Sequence, residues 1–263
     1  MSVLVGLASF GMGIVVGLLG GGGSILTVPI LIFLAGLDTR ESIATSLLVV
    51  SLTSAFALFR HARAGRVRWA IGAVFGAVSM VGAYVGGRVA GLIPSDVLLG
   101  AFVAMMLVTG VMMLRPRRPP SRPEPGSNPA EGSTASPPGA ARPSFFRIGL
   151  IGLLMGSVTG LIGAGGGFMI VPSLVLFGGL LMPEAVATSL MILTLNAMSG
   201  YAGHAGETEL DVRLTGFVVV TAMVGAWVGT AFAGKVPGPQ LRRAFGVLVL
   251  VMAVVTITLK WLE

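Results

Sequence analysis

The chain has 263 residues, of which 54% are hydrophobic and only 10% charged, and its mean hydropathy is +0.95. Soluble domains carry about 25% charged residues, so this composition excludes an ordinary soluble fold. The net charge of +7 does not point to nucleic acid, because the arginines lie mostly in gaps between apolar runs, where membrane orientation accounts for them. The absence of cysteine excludes disulfides, thiolate metal sites, iron-sulfur clusters and cysteine nucleophiles.

Apolar runs of about 20 residues, long enough to cross ~30 Å of hydrocarbon, recur along the chain and predict an all-α, polytopic transmembrane protein. The opening Met1-Ser2-Val3-Leu4 lacks a basic n-region and a small-residue cleavage site, so the first apolar run is expected to be retained. Residues 3–19 form an apolar arm that ends at Gly20-Gly21-Gly22-Gly23. Residues 25–37 form a second arm whose thirteen residues would rise about 20 Å as a helix, too little for a crossing. The two arms therefore make either one broken helix or a re-entrant hairpin. Residues 42–60, 69–92 and 96–114 follow as plausible spans, separated by short polar joints, and close a first unit over 1–114.

From 115 to 144 the character changes: nine of the fifteen prolines fall there, with arginines and almost nothing apolar. That composition predicts a disordered or polyproline-like linker. Over 145–263 the first pattern returns. A shift of 143 positions (172 − 29) places Pro172 on Pro29, Glu184 on Glu41, Ala187-Thr188-Ser189-Leu190 on Ala44-Thr45-Ser46-Leu47 and His204 on His61. It also places Met223-Val224-Gly225-Ala226 on Met80-Val81-Gly82-Ala83 without a gap. The chain reads as a tandem duplication with about eight membrane segments.

Charge bears on the direction of the copies. The joint with Arg60, Arg63, Arg66 and Arg68 is basic, whereas its copy holds Glu207, Glu209, Asp211 and Arg213. Inverted copies divide Lys and Arg 13 to 4 between the two sides, and parallel copies 12 to 5. The positive-inside bias thus favours inversion, by one residue.

Consecutive glycines inside apolar sequence suggest a backbone-rich ligand site. Peptide N–H groups left free where such a run feeds a helix attract anions, and glycine lets a ligand approach closely. The candidate substrate-binding set is Gly20, Gly21, Gly22, Gly23 and Ser24 with Gly163, Gly165, Gly166 and Gly167. Thr45, Ser46, Thr188 and Ser189 add hydroxyls one turn into the following helices, and Asn196 an amide two turns further on. Two facing copies would make one donor-rich pocket near the midplane, suited to a small oxyanion. Spaced glycines such as Gly82, Gly86 and Gly91 fit helix packing instead, Ser and Thr in membrane helices commonly bond their own helix, and Glu41 and Glu184 suit helix starts. His61 and His204 end equivalent helices and are candidates for coupling or pH sensing. Bis-histidine haem ligation would need both to project into the bilayer at one depth. No cofactor, resident metal or catalytic residue is expected.

The doubled glycine run followed by Val28-Pro29 and Val171-Pro172, with Ala-Thr-Ser-Leu in the following helix, resembles the TauE/SafE family of sulfite exporters, also grouped as sulfonate-uptake permeases. The likeness covers the chain apart from 115–144, and its pattern maps onto Gly20, Gly22, Gly23 and Pro29 and onto Gly163, Gly165, Gly166 and Pro172. It implies a multi-pass protein of the bacterial inner membrane that moves sulfite, sulfonates or related anions, with the lipid bilayer and the anion as partners; a homo-oligomer is compatible with it. Export of a small sulfur oxyanion is the expected activity, with a passive anion channel or an uptake permease as the alternative.

Overall fold

The computed structural model describes residues 2–37, 39–90, 95–115, 145–162, 167–204 and 211–262. These form ten α-helices: α1 Ser2–Leu19, α2 Ser24–Pro29, α3 Thr39–Arg63, α4 Trp69–Ala90, α5 Ser95–Leu114, α6 Phe145–Ile162, α7 Gly167–Leu176, α8 Met182–His204, α9 Val212–Ala233 and α10 Gly238–Leu262. Four stretches are long and apolar enough to span a membrane, Val3–Val28, Glu41–Arg63, Val212–Ala233 and Gly238–Thr258, and four shorter apolar helices accompany them. The protein is a polytopic all-α membrane protein. Of the linker at 115–144, only Arg115 lies within the described residues.

Val3–Val28 is not one rod. A straight helix would hold residues 12 and 27 about 22 Å apart, yet the Thr27 hydroxyl donates to the Met12 sulfur at 3.1 Å. A Cβ built on Gly23 would meet the Val16 amide nitrogen at 2.8 Å and the Met12 carbonyl at 3.1 Å. The chain reverses at the glycines, so the arms form a hairpin. Its return arm is less regular than a helix over 25–37 would be. Pro29 has no N–H to donate; the chain then widens into a π turn over Ile30–Leu34, with the Ala35 amide on the Ile30 carbonyl. The arm ends where the Leu37 amide bonds the Leu31 carbonyl around Gly36 at φ 73. The second half closes α7 in the same way: the Leu180 amide bonds the Leu174 carbonyl around Gly179 at φ 68. Both are left-handed helix stops of the kind glycine permits.

Contacts at one end of the bundle fix the helix directions. Arg68, just before α4, pairs with Glu184 in the first turn of α8 at 2.7 Å. Arg66 lies against Gly234, just after α9, and Gly238 against Met182. The end of α3 and the starts of α4, α8 and α10 therefore share this end, and α8 runs opposite to α3. The close helix crossings occur in pairs. A Cβ on Gly13 would strike the Ala222 carbonyl, and one on Gly156 the Ser79 carbonyl; Gly225 meets Phe10 and Gly82 meets Leu153 in the same manner. Subtracting 143 converts Gly156 and Ala222 into Gly13 and Ser79, and Gly225 and Leu153 into Gly82 and Phe10. Small residues let these backbones touch, the interaction that holds helices together where lipid removes the hydrophobic drive. At the centre lies α7, buried along Gly167–Val175, while Leu7, Val81, Val220 and Val251 are exposed on the outside, as a lipid-facing surface requires.

Candidate functional site

Gly20–Gly23 form a single 3₁₀ turn in which all four residues are buried. Gly20 has φ 71, a left-handed conformation that reverses the chain and that a side chain would strain. The Gly21 carbonyl accepts from both the Ser24 amide and the Ser24 hydroxyl, the latter at 2.7 Å, so Ser24 caps the turn from within. The turn then meets the second repeat. A Cβ on Gly20 would approach the Ser189 hydroxyl at 2.5 Å and the Val186 carbonyl at 3.1 Å, and one on Gly21 would overlap the Gly167 carbonyl. From the other side, a Cβ on Gly167 would come within 2.7 Å of the Ser24 hydroxyl.

Gly20, Gly21, Ser24, Gly167 and Ser189 are thus brought together from the two halves. Gly163, Gly165 and Gly166 lie outside the described residues. Gly22 faces elsewhere: its Cβ would stand 3.1 Å from the Phe245 ring and 3.4 Å from Leu248. Among the described residues, backbone meets backbone where Gly21 faces Gly167, and no open pocket separates them.

The hydroxyls divide. Ser46 donates to the Ile43 carbonyl and Ser189 to the Val186 carbonyl, both at 2.8 Å. Thr188 accepts from the Arg68 amide at 3.1 Å, joining α8 to the start of α4. Thr45 is fully buried, and its hydroxyl has no partner among the described residues; the same holds for Thr53 and Ser54 further along α3 and for the Asn196 carbonyl oxygen. The Asn196 amide reaches Ser79 on α4 at 3.5 Å, away from the glycine turn. Buried polar atoms are nearly always paired with protein or ordered water, so these hydroxyls on α3 stand out among the described residues.

His61 is 2% exposed, and its Nε2–H donates to the Gly17 carbonyl at 3.3 Å, one turn before the glycine turn. Nδ1 then carries the lone pair, with no partner among the described residues. The side chain of His204 lies outside what is described.

At the start of α8, Glu184 lies in the first turn, where Arg68 pairs with it through Nε at 3.2 Å and Nη2 at 2.7 Å. The residue at Arg68 + 143 is Asp211, which instead caps α9, accepting from the amides of Arg213 at 2.9 Å and Leu214 at 3.1 Å. The sequence reading missed this pair and the crossings at Gly13, Gly156 and Gly225. Glycines spaced by four, as in Gly13/Gly17 and Gly225/Gly229, were the available signal for the crossings.

The family profile described as sulfite exporter TauE/SafE matches residues 5–256. A probable membrane transporter protein of Xylella fastidiosa (strain 9a5c) is 29% identical over 268 residues, covering 99% of this chain and 97% of its own length. Two proteins of Bacillus subtilis (strain 168) are similar: the probable membrane transporter protein YdhB, 26% identical over 92% of this chain and 94% of its own, and YunE, 28% identical over 95% and 90%. No solved structure matches. A profile match over residues 5–256 and a bundle of apolar, membrane-length helices agree, and the chain belongs to the TauE/SafE family of membrane transporters.

Proposed function

We propose that the chain exports a small sulfur oxyanion, sulfite or a sulfonate-like anion, from a site that opens where the Gly20–Gly23 turn meets Gly167 and Ser189. The observation that carries this reading is the meeting of Gly20 and Gly21 with Ser189 and Gly167 across the halves. Contact between a hairpin tip of one half and a helix start of the other is relieved by moving one half against the other. Moving inverted repeats about a central site is how such carriers alternate access. The opposed directions of α3 and α8 support the inverted arrangement. When this contact parts, the peptide donors of the Gly20–Gly23 turn and the Ser24 and Ser189 hydroxyls would serve an anion without any cationic side chain.

We place the end with Arg60, Arg63, Arg66, Arg68, Lys235, Arg242 and Arg243 on the cytoplasmic side of a bacterial inner membrane, by the positive-inside bias. An anion leaving a negative interior goes downhill by about 2.3 kcal/mol per charge per 100 mV, so efflux needs no coupled ion. The test is a thermal-shift screen of the purified protein against sulfite, thiosulfate, taurine-like sulfonates and acetate, followed by efflux from proteoliposomes. Stabilisation by a sulfur oxyanion, with saturable efflux and counterflow, is expected. Stabilisation by acetate alone would remove the sulfur specificity, and flux without saturation or counterflow would make the protein a channel.

A further inference from the structure

On the outer surface, α3 and α9 leave a groove of ≈ 430 Å³ lined by Phe56, Val220, Met223, Val224 and Trp227. The four α9 residues follow an i, i+3, i+4, i+7 spacing and so form one face. Val220, Val224 and Trp227 are 60%, 51% and 55% exposed, which in a membrane-spanning helix means exposure to hydrocarbon. Arg60 stands one turn beyond Phe56 at the basic end of this groove. Its guanidinium lies 5.2 Å from the Trp227 ring centroid, and Nη1 donates to the Trp227 carbonyl at 3.4 Å. That carbonyl is six residues inside the end of α9, about 9 Å. The charge is thus turned along the groove instead of extending straight to water, as an arginine near a helix end ordinarily would. One turn on, exposed Arg63 lies over the Phe59 ring at 4.2 Å. Neither arginine has an acidic partner among the described residues, where the ion pair present is Arg68–Glu184.

We infer that this groove and its two arginines form a binding site for one anionic phospholipid, with an acyl chain along Phe56, Val220, Val224 and Trp227 and the phosphate held by Arg60 and Arg63. Arg60 keeps most of its five donors for a phosphate after bonding Trp227, and stacking on the indole fixes their direction. The duplication supplies a control. Adding 143 turns Arg60 into Gly203, Arg63 into Gly206 and Phe56 into Ser199, so the other half cannot build this site. The site occurs once, at the basic end.

Native mass spectrometry of the purified protein, titrated with phosphatidylglycerol and with phosphatidylcholine of the same chains, tests the assignment independently of any transport substrate. One basic residue beside an anionic headgroup contributes about fivefold, so two arginines are expected to favour phosphatidylglycerol by about 25-fold. Arg60→Gln and Arg63→Gln should each lower its retention about fivefold and leave phosphatidylcholine unchanged, while Val224→Trp, which fills the groove, should lower both. Thermal unfolding without added lipid checks the fold of each variant, and Arg63→Gln, on the exposed rim, carries the test should Arg60→Gln prove unstable. Equal retention of the two lipids, undiminished phosphatidylglycerol binding by the double variant, or equal stabilisation by glycerol 3-phosphate without chains would each overturn the site.

Discussion

A single methyl group distinguishes the glycine positions. In Gly21→Ala the new Cβ overlaps the Gly167 carbonyl oxygen and carbon and comes within 3.0 Å of the Gly167 Cα. All three are backbone atoms, so no rotamer change relieves the overlap and the two halves must separate. Overpacking of this kind costs about 1–3 kcal/mol, of which the reduced freedom of the unfolded chain returns roughly 0.4–1 kcal/mol. Gly22→Ala meets only the Phe245 ring at 3.1 Å and Leu248 at 3.4 Å, and a few tenths of an ångström of side-chain movement leaves it near neutral. Thermal unfolding of the two variants in one detergent should therefore differ by roughly 2–8 °C, at about 2–4 °C per kcal/mol. In proteoliposomes Gly21→Ala should lose most of its efflux and Gly22→Ala should keep it. Equal unfolding temperatures and equal flux would refute the closed contact between Gly21 and Gly167.

Reversing both charges of the Arg68–Glu184 pair should restore a stability that either single reversal lowers, with a coupling of roughly 0.2–1 kcal/mol because the arginine is more than half exposed. Asp211→Ala should cost about 1 kcal/mol by uncapping α9, whereas Asp211→Asn, which keeps an acceptor, should cost a few tenths; chemical unfolding midpoints measure the difference. Replacing His61 with Phe leaves the Gly17 carbonyl without its donor in an apolar interior, and a loss of about 1–3 kcal/mol is expected in the same assay. Because the chain lacks cysteine, single replacements report sidedness cleanly. Arg63→Cys and Asp211→Cys should react with an impermeant maleimide from opposite faces of sealed vesicles, and labelling of both from one face would contradict the helix directions.

The apolar spans and the break in the first arm at Gly20–Gly23 were legible because hydropathy and glycine runs are local signals. The direction of the first hairpin was not. Thirteen residues after Ser24 fit a broken helix and a re-entrant arm equally well, and it is the long-range contacts of Thr27 with Met12 and of Gly23 with Val16 that decide between them. Hydroxyl roles were hidden for a related reason. Ser46 and Ser189 reach a carbonyl three residues back, which costs the helix nothing, while Thr188 is drawn to the Arg68 amide by a tertiary crossing that no local pattern announces. The distinction between Gly21 and Gly22 is likewise a matter of which way one 3₁₀ turn faces, and four identical residues in sequence carry no record of it.

The 143-residue correspondence is kept in some places and broken in others, and the difference follows from what each place does. Crossings such as Gly13 on Ala222 and Gly156 on Ser79 persist in both halves because touching backbones tolerate nothing larger. At the helix starts, where side chains reach water, the halves diverge. Arg68 holds Glu184 at the basic end, while the same two positions at the opposite end are Asp211 and Glu41, two carboxylates that cannot form such a pair. In a carrier that rocks between two states, an attraction present at one end and absent at the other favours the state in which the attracting end is shut. An exposed pair supplies up to about 1 kcal/mol, roughly a fivefold bias in population. On the proposed rocking mechanism the basic end would be closed more often than its counterpart, and charge reversal at position 211, which would let that position pair with Glu41, is the change expected to level the two ends.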